Sequence, residues 1–388
     1  MKFGRRFIFK VFLGVFLSLL LAGGVFLYKF LKFYNRVYEK KPLTINSKVE
    51  RKPEKKIYNI LLLGYGGPGH DGAYLTDTII LAHINKEKKQ IVLISIPRDL
   101  WVKVPHKRYG FIRSKINALY QMLLFPENYP FLPDEYKDKS PAFLLSQRVE
   151  EITGYKPDYF LAVDFQGFVK IVDLLGGIEV KLDQFILDEL YPAEGKENDL
   201  CGWRQEDLAT VSALIQQSPE KVFPCRYERF YLPSGVNKLD GKTALKLVRS
   251  RKGINSGGDF GRAERQQKVI RAVARKALQI GAVPKIPALL DELSQNLRTD
   301  IPLQVIKQNL SELYKMDEYK IFNIVLSLDN VLSERLDPKG GYILYPTAGL
   351  DAWDQVRDFI SKDLEYQASK EAGLEDSASD AEVEMNAQ

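Results

Sequence analysis

The segment Tyr58-Asn-Ile-Leu-Leu-Leu-Gly64 sets the fold class of this chain. It is a short apolar run that ends in glycine, which is typical of a β-strand buried on both faces. Two β-rich runs follow at residues 78–84 and 91–96, and the polar turn at 85–90 between them predicts a hairpin. Similar runs predict further strands at residues 158–163, 178–182, 320–325 and 342–345.

Helical periodicity alternates with these strands. It predicts helices at residues 115–124, 142–152, 165–175, 239–248, 262–280, 286–297, 303–314 and 353–360. Because helices and strands interleave, the sequence predicts a layered α/β domain over residues 58–362. Residues 184–235 form an irregular insertion that contains Cys201 and Cys225. The two cysteines are either a disulfide outside the cytoplasm or two free thiols.

The N-terminal region predicts a membrane anchor. Residues 11–28 carry no charge, and a helix of that length spans about 27 Å. We therefore predict a short cytoplasmic segment at residues 1–10, a transmembrane helix at 11–31 and a charged linker at 32–57. A cleaved signal peptide is the alternative, which the aromatic residues after Gly24 disfavour.

The net charge of +6 conceals an uneven distribution of charged residues. Residues 1–56 carry a balance of +11, residues 366–388 carry −5, and the body between them is neutral. A neutral body argues against a nucleic-acid-binding protein, whose folded domain is normally basic. Residues 363–388 are rich in Ser, Ala and Glu and predict a disordered acidic tail.

One part of the neutral body is strongly basic. Residues 246–276 contain 10 basic and 2 acidic side chains. Arg249 and Arg251 lie two apart at a helix end, while Arg262 and Gln266 lie on one face of the next helix. Asp259 follows two glycines and could cap that helix. Converging guanidinium groups suit a multiply charged anion such as a pyrophosphate, although a solvated basic helix is the alternative.

Two further motifs carry candidate site residues. Ser95-Ile-Pro-Arg98-Asp99 ends a predicted buried strand, where open α/β sheets bind ligands; a surface Arg–Asp pair is the alternative. Asp71 and Asp77 lie in or beside a glycine-rich loop and could hold a hard cation such as Mg²⁺, or could be turn residues. The loop lacks the features of a P-loop or a Rossmann motif.

The ordered combination of motifs resembles the LytR–CpsA–Psr (LCP) family of cell-envelope phosphotransferases. The resemblance rests on the following motifs in order: Asn59-Ile-Leu-Leu-Leu-Gly64, Thr76-Asp77-Thr78, Ser95-Ile-Pro-Arg98-Asp99, Lys115-Ile-Asn117, Val163-Asp-Phe165 with Gly167-Phe168, Leu239-Asp-Gly241, Val248-Arg-Ser-Arg251 and Asp259-x-x-Arg262-x-x-Arg265-Gln-Gln267. It covers residues 58–362.

The resemblance implies a three-layer α/β/α domain with a mixed central sheet, held outside the cytoplasm by one transmembrane helix. It implies Mg²⁺-assisted transfer of a glycopolymer from a polyprenyl-pyrophosphate carrier in the membrane lipid to a hydroxyl of peptidoglycan, with no nucleic-acid partner. The implied pyrophosphate-binding residues are Arg98, Lys115, Arg249, Arg251, Arg262 and Gln266. Asp77 is the implied metal ligand, and Asp259 and Asp99 are candidates for the general base.

The sequence departs from the family pattern at two positions. Gly66 stands where the family often has an aspartate, and Leu75 stands where it often has an arginine. We therefore expect Asp71 or His70 to supply the second metal ligand. Two alternative functions are open: the protein hydrolyses the pyrophosphate at the same site, or it is a non-catalytic membrane-bound sensor.

Overall fold

The computed structural model describes residues 24–39, 55–279 and 293–371, except residues 26, 71, 252, 256–257, 314, 316–317 and 338–339. The strands are β1 (Ile57–Tyr65), β2 (Thr76–Asn85), β3 (Gln90–Ser95), β4 (Trp101–His106), β5 (Gly110–Lys115), β6 (Tyr159–Asp164), β7 (Ile178–Leu182), β8 (Ile186–Pro192), β9 (Tyr227–Leu232), β10 (Gly235–Leu239), β11 (Leu297–Thr299), β12 (Lys320–Val325), β13 (Leu332–Leu336) and β14 (Tyr342–Pro346).

Helices connect and cover these strands. They are α1 (Ala118–Leu124), α2 (Phe143–Thr153), α3 (Phe165–Leu174), α4 (Ser212–Gln217), α5 (Pro219–Val222), α6 (Gly241–Arg249), α7 (Gly258–Gln279), α8 (Leu303–Leu313) and α9 (Trp353–Glu371). Residues 286–292 of the predicted helix at 286–297 lie outside the described residues. The last residue of that prediction, Leu297, begins β11 instead.

The central sheet has the strand order β11-β6-β1-β2-β3-β12. The pairs β1–β6 and β3–β12 are parallel, whereas β1–β2, β2–β3 and β6–β11 are antiparallel. The mixed central sheet and the α/β class are therefore confirmed. The hairpin between β2 and β3 turns where the polar run at 85–90 predicts it.

Both faces of the central sheet are buried. Leu61, Ile79 and Ile94 point to one face, where they pack with residues of α1, α2 and α9. Ile80 and Leu93 point to the other face, where Ile270 of α7 packs against them. Two buried faces explain why β1 reads as a continuous apolar run rather than an alternating one.

Short strands outside the central sheet confirm one expectation and correct another. The strand at 178–182 forms, but as β7 it pairs with β10 in a separate two-stranded sheet. The insertion at 184–235 is not irregular throughout, because it contains the antiparallel pair β8–β9 and short helical turns. Cys201 and Cys225 are joined by a disulfide that closes this insertion.

The N-terminal segments differ in part from the prediction. Most of the predicted transmembrane helix, residues 11–23 and 26, lies outside the described residues, and no helix in the described part of the chain is long and apolar enough to cross a bilayer. Residues 27–37 form a helix that runs into the predicted linker. The Tyr34 hydroxyl accepts a hydrogen bond from Leu303 N at 2.8 Å, and Glu39 N donates to Thr299 O at 2.6 Å. The first part of the linker is thus docked on the domain.

The C-terminal boundary is also wrong in the prediction. α9 continues to Glu371, so residues 363–371 are helical rather than part of a disordered tail. Leu364 and Ala368 pack against the main core, and the Gln367 side chain donates to Asn323 O at 2.9 Å. These contacts stabilise helix in a stretch whose composition is apolar-poor.

A pair of truncations tests this boundary. Ending the chain after residue 362 removes Leu364, Gln367 and Ala368, and we expect it to lower the free energy of unfolding by about 2–4 kcal/mol. Ending it after residue 371 should leave the thermal midpoint unchanged. Thermal melts followed by circular dichroism make the comparison; equal midpoints for the two truncated chains would contradict the packing of α9.

Candidate functional site

The site begins where β3 ends. Pro97 stops the strand, and Arg98 and Asp99 follow at the rim of the sheet. The Arg98 guanidinium forms an ion pair with Asp77 at the start of β2, and its Nε lies 3.3 Å from Asp99 Oδ2. Lys115 Nζ lies 2.6 Å from Asp99 Oδ1. Both carboxylate oxygens of Asp99 are therefore held by cations.

The backbone around Asn117 fixes these side chains in place. Asn117 O accepts hydrogen bonds from Thr76 N at 3.0 Å and from the Thr76 hydroxyl at 3.2 Å. Asn117 N donates to Arg98 O at 3.3 Å. The motif that starts at Lys115 thus ties the start of β2 to the end of β3, which brings Asp77 and Arg98 together.

The end of α6 forms the second wall. The Arg249 guanidinium lies 4.6 Å from the ring centre of Phe165 and 5.9 Å from that of Tyr191, which supports it by cation–π contact. The hydroxyl of Ser250 donates to the buried Asp188 at 2.7 Å. Burial raises the pKa of Tyr191, so the ring faces Arg249 as a neutral phenol.

The loop after Arg251 lies against β8. Ile254 N donates to Leu187 O at 2.8 Å. A Cβ added to Gly253 would lie 2.3 Å from the same carbonyl, so this approach requires glycine. Arg251 is exposed and is held at the cavity by this close backbone contact.

The first turns of α7 form the third wall. Arg262 and Gln266 are both buried and lie one turn apart on the helix face that meets the cavity. The Arg265 guanidinium turns away and donates to Leu247 O at 3.0 Å and to Ser250 O. Burial, and next the charge of Arg262, lowers the pKa of Arg265 to about 10. Arg265 therefore positions the end of α6 that carries Arg249 and Arg251.

These walls enclose a cavity of about 280 Å³. The charged and polar residues that line it are Asp77, Thr78, Arg98, Asp188, Tyr191, Arg249, Ser250, Arg251, Arg262 and Gln266. A smaller space of about 40 Å³ adjoins it, reaching Asp99 and a set of apolar residues that includes Phe260, Leu326 and Leu344. Four guanidinium groups at one cavity can neutralise and orient a multiply charged phosphate group.

Most of the predicted site residues meet at this cavity. Asp77, Arg98, Arg249, Arg251, Arg262 and Gln266 line it, Asp99 lies in the adjoining space, and Lys115 reaches the site through Asp99. Asp71 lies outside the described residues. α7 begins at Gly258, so Asp259 lies within its first turn rather than capping it. The helix starts four residues earlier than its apolar pattern indicates, and nothing is described of the Asp259 side chain.

Sequence reasoning missed Tyr191, Asp188 and Phe165 as site residues. Tyr191 and Asp188 belong to the insertion, whose strands have no apolar run to reveal them. Phe165 lies in the motif Val163-Asp-Phe165, where Asp164 caps α3 by accepting from Gly167 N at 2.8 Å. That cap places Phe165 at the cavity.

A magnesium ion fits the described residues at one point. The carboxylate of Asp77 is partly exposed at the cavity, and it is the Oδ1 atom of this carboxylate that pairs with Arg98. Mg²⁺ usually takes one or two protein carboxylates and completes its shell with phosphate oxygens and water. A second cluster, Asp199 with Cys201 and Cys225, does not fit a metal, because the two sulfur atoms are bonded to each other.

Comparison with known proteins identifies the family. The sequence model of the LytR_cpsA_psr family matches residues 27–343 of the chain. The chain belongs to the LytR_cpsA_psr family. The family assignment made from the motifs is confirmed, and the match begins inside the docked N-terminal helix.

Relatives of this LytR_cpsA_psr protein include a named transferase and a named regulator. One is the polyisoprenyl-teichoic acid–peptidoglycan teichoic acid transferase TagU of Oceanobacillus iheyensis, 29% identical over 76% of this chain and 77% of that protein. Biofilm regulatory protein A of Streptococcus mutans is 24% identical over 78% of this chain and 64% of that protein. The transferase names support the prediction that this LytR_cpsA_psr chain is an enzyme, a phosphotransferase.

A solved structure supports the fold of the LytR_cpsA_psr chain. The crystal structure of TagV from Bacillus subtilis superposes with a TM-score of 0.51 at 23% identity, over 80% of this chain and 98% of that one. At that identity the likeness concerns the fold alone.

The role of Arg265 can be tested by replacement with methionine. Arg265→Met leaves Leu247 O and Ser250 O without their donors, so we expect affinity for inorganic pyrophosphate to fall about tenfold or more. Titration calorimetry on the full chain, well below the thermal midpoint of the variant, measures this. Arg148→Met is the matched control, because Arg148 is also a largely buried helix arginine but lies on α2. Arg265→Lys should restore part of the affinity; equal losses for the Arg265 and Arg148 variants would refute a positioning role.

Proposed function

We propose that this protein transfers a glycopolymer from a polyprenyl-pyrophosphate carrier to a hydroxyl group of peptidoglycan, with Mg²⁺, on the outer side of the cell membrane. The observation that carries the proposal is the cavity lined by Arg98, Arg249, Arg251 and Arg262 beside Asp77. The named activity of the TagU relative supports the choice of donor and acceptor.

The chemistry is a displacement at phosphorus. The acceptor oxygen forms a bond to the phosphorus that carries the glycopolymer, and the bond from that phosphorus to the bridging oxygen breaks. Polyprenyl phosphate leaves with the bonding electrons, and the hydroxyl proton passes to a base or to water. Such a transfer needs positioning and charge neutralisation more than covalent help. The arginines of the three walls supply both.

Each wall contributes a distinct part of the anion site. Arg98 follows the end of β3, Arg249 ends α6 with Arg251 two residues beyond it, and Arg262 and Gln266 belong to α7. Because the groups come from separate elements, they can surround both phosphates rather than contact one side. The planar guanidinium groups match phosphate oxygens in pairs.

Asp77 would hold Mg²⁺, with Asp71 as the proposed second protein ligand. When bound, the ion supplies a Lewis acid for the phosphate oxygens and the leaving group. We do not assign Asp99 as the base, because both of its carboxylate oxygens contact cations. Asp99 holds Arg98 and Lys115 toward the site, which leaves Asp259 as the proposed base.

Two features of the chain support this proposed location. The charge-free stretch at residues 11–28 is long enough for a membrane anchor, which would keep the enzyme near a lipid-linked donor. The Cys201–Cys225 disulfide is typical of a protein that folds outside a reducing cytoplasm.

Arginine variants test the anion site. We expect Arg249→Ala and Arg251→Ala each to lower kcat/KM about a hundredfold, because each removes a cation that neutralises charge in the transition state. The assay combines the full chain in detergent with a short polyprenyl-pyrophosphate glycan, Mg²⁺ and a peptidoglycan oligomer. Lys242→Ala is the control, since Lys242 is an exposed base at the opposite end of α6.

The products of the wild-type reaction separate the competing functions. A covalent glycan–peptidoglycan product is expected. Free glycan phosphate would indicate a hydrolase, and neither product would indicate a binding or sensory protein. Near-normal turnover of the Arg249 and Arg251 variants would refute the assignment of the anion site.

Substitution of Asp77 tests the metal site. Asp77→Asn removes the proposed charged ligand, and we expect the Mg²⁺ concentration for half-maximal activity to rise about tenfold or more. Asp351→Asn is the control, because Asp351 is also paired with an arginine, Arg113, away from the cavity. An unchanged Mg²⁺ requirement in Asp77→Asn would exclude this carboxylate as the metal ligand.

A further inference from the structure

A second basic cavity lies between β7 and the C-terminal half of α7. It has a volume of about 420 Å³, and we refer to it as the helix groove. Its floor includes the buried Val180 and Ala272. Its charged lining consists of Lys181, Lys268, Arg271, Arg275 and Lys276 with Glu179 and Asp183.

The positive charge of the helix groove is not balanced by its acids. Lys268 forms an ion pair with Asp183, at 2.5 Å. Arg271 and Arg275 lie one helical turn apart, and among the residues that the structure describes neither has a carboxylate within ion-pair distance. Burial, and next the charge of Arg275, lowers the pKa of Arg271. Two neighbouring guanidinium groups, one of them half-buried, are therefore electrostatically unfavourable as they stand.

An ordinary solvated helix face does not account for this arrangement. These side chains line a concavity between a strand and a helix. An anion in the groove would relieve the repulsion between Arg271 and Arg275, and it would be held by several charge-assisted hydrogen bonds.

The helix groove and the pyrophosphate cavity share one helix. α7 carries Arg262 at the cavity and Arg271 at the groove, nine positions apart, so they lie about 14 Å apart along the helix axis and on opposite faces of the helix. Arg275 lies about 20 Å from Arg262 by the same measure. A donor chain that reaches both sites therefore has to pass around α7 as well as along it.

We propose that the helix groove binds the anionic backbone of the donor glycopolymer, a chain with repeating phosphate groups, while its pyrophosphate end occupies the arginine cavity. This inference rests on the proposed function. A concave groove accommodates a chain of charges, whereas the flat surface of an anionic bilayer would reach only the rim of the concavity.

The experiment compares two donors that share the same carrier and first sugars. One donor ends there, and the other continues as a poly(glycerol phosphate) chain. The variants are Arg271→Gln/Arg275→Gln and the control Lys362→Gln/Lys370→Gln, which removes two exposed bases from α9. We expect the groove variant to raise KM for the long donor about tenfold and to leave kcat and the short donor unchanged. The control should leave KM unchanged for both donors.

A binding measurement without the carrier separates this proposal from the proposed function. Wild type should bind a free poly(glycerol phosphate) oligomer in calorimetry, the groove variant should bind it about tenfold more weakly, and a neutral dextran oligomer should not bind. Arg271→Lys/Arg275→Lys keeps the charges and should retain most of the affinity. Groove-dependent binding without any transfer would refute the proposed function and support the groove.

Two results would overturn the groove as a polymer site. The first is that wild type transfers the glycan and that the KM for the long donor is the same in wild type and in the groove variant. The second is unchanged oligomer affinity in that variant, together with weaker binding to phosphatidylglycerol vesicles. The second result would assign the bases to the membrane surface instead.

Discussion

The side-chain amide of Gln267 holds the site together. This buried group donates to Leu93 O at 3.0 Å, to the Ser95 hydroxyl at 2.8 Å and to Ile324 O at 3.2 Å. It therefore fixes α7 against the ends of two parallel strands, β3 and β12. Arg98 leaves the sheet at the same end, and Arg262 lies little more than one turn before Gln267 on α7. Together with the packing of Ile270 on the sheet, this anchor holds the strand-end arginine and the helix arginine at one cavity, although they are 164 positions apart in the sequence.

Like charges impose the second constraint. Guanidinium groups gathered at one cavity repel one another, so their positions depend on contacts that neutralise only part of their charge. Aromatic rings support Arg249, backbone carbonyls accept from Arg265, and a pair of aspartates restrains Arg98. These contacts leave the cavity basic. A full set of carboxylate partners would have stabilised the arginines equally well, but it would have occupied the space that an anion needs.

The central sheet was predictable because β1, β2 and β3 are buried on both faces, and such strands read as apolar runs. The arginines of the site could be found because each lies at or near a recognisable element end. Strands β8 and β9 were not predictable, since acidic residues such as Asp188 and Glu189 interrupt β8 and the two strands form a small sheet apart from the central one. Tyr191 went unnoticed for that reason. The end of α9 was missed because Leu364 and Ala368 are isolated apolar residues in an acidic stretch, and only their contacts with the core show that they are helical.

The docked helix at residues 27–37 has a mechanical consequence. Val37 is buried, Tyr34 bonds to the start of α8, and Glu39 pairs with Arg298 of β11. A domain joined to its anchor by a flexible linker samples many heights above a bilayer, whereas a domain fixed to a short rigid helix samples few. With an anchor that continues this helix, the cavity would stand at a set elevation and tilt. Carriers would then be selected by how far their head groups extend from the bilayer. This selection would not require recognition of the head group by any side chain of the cavity.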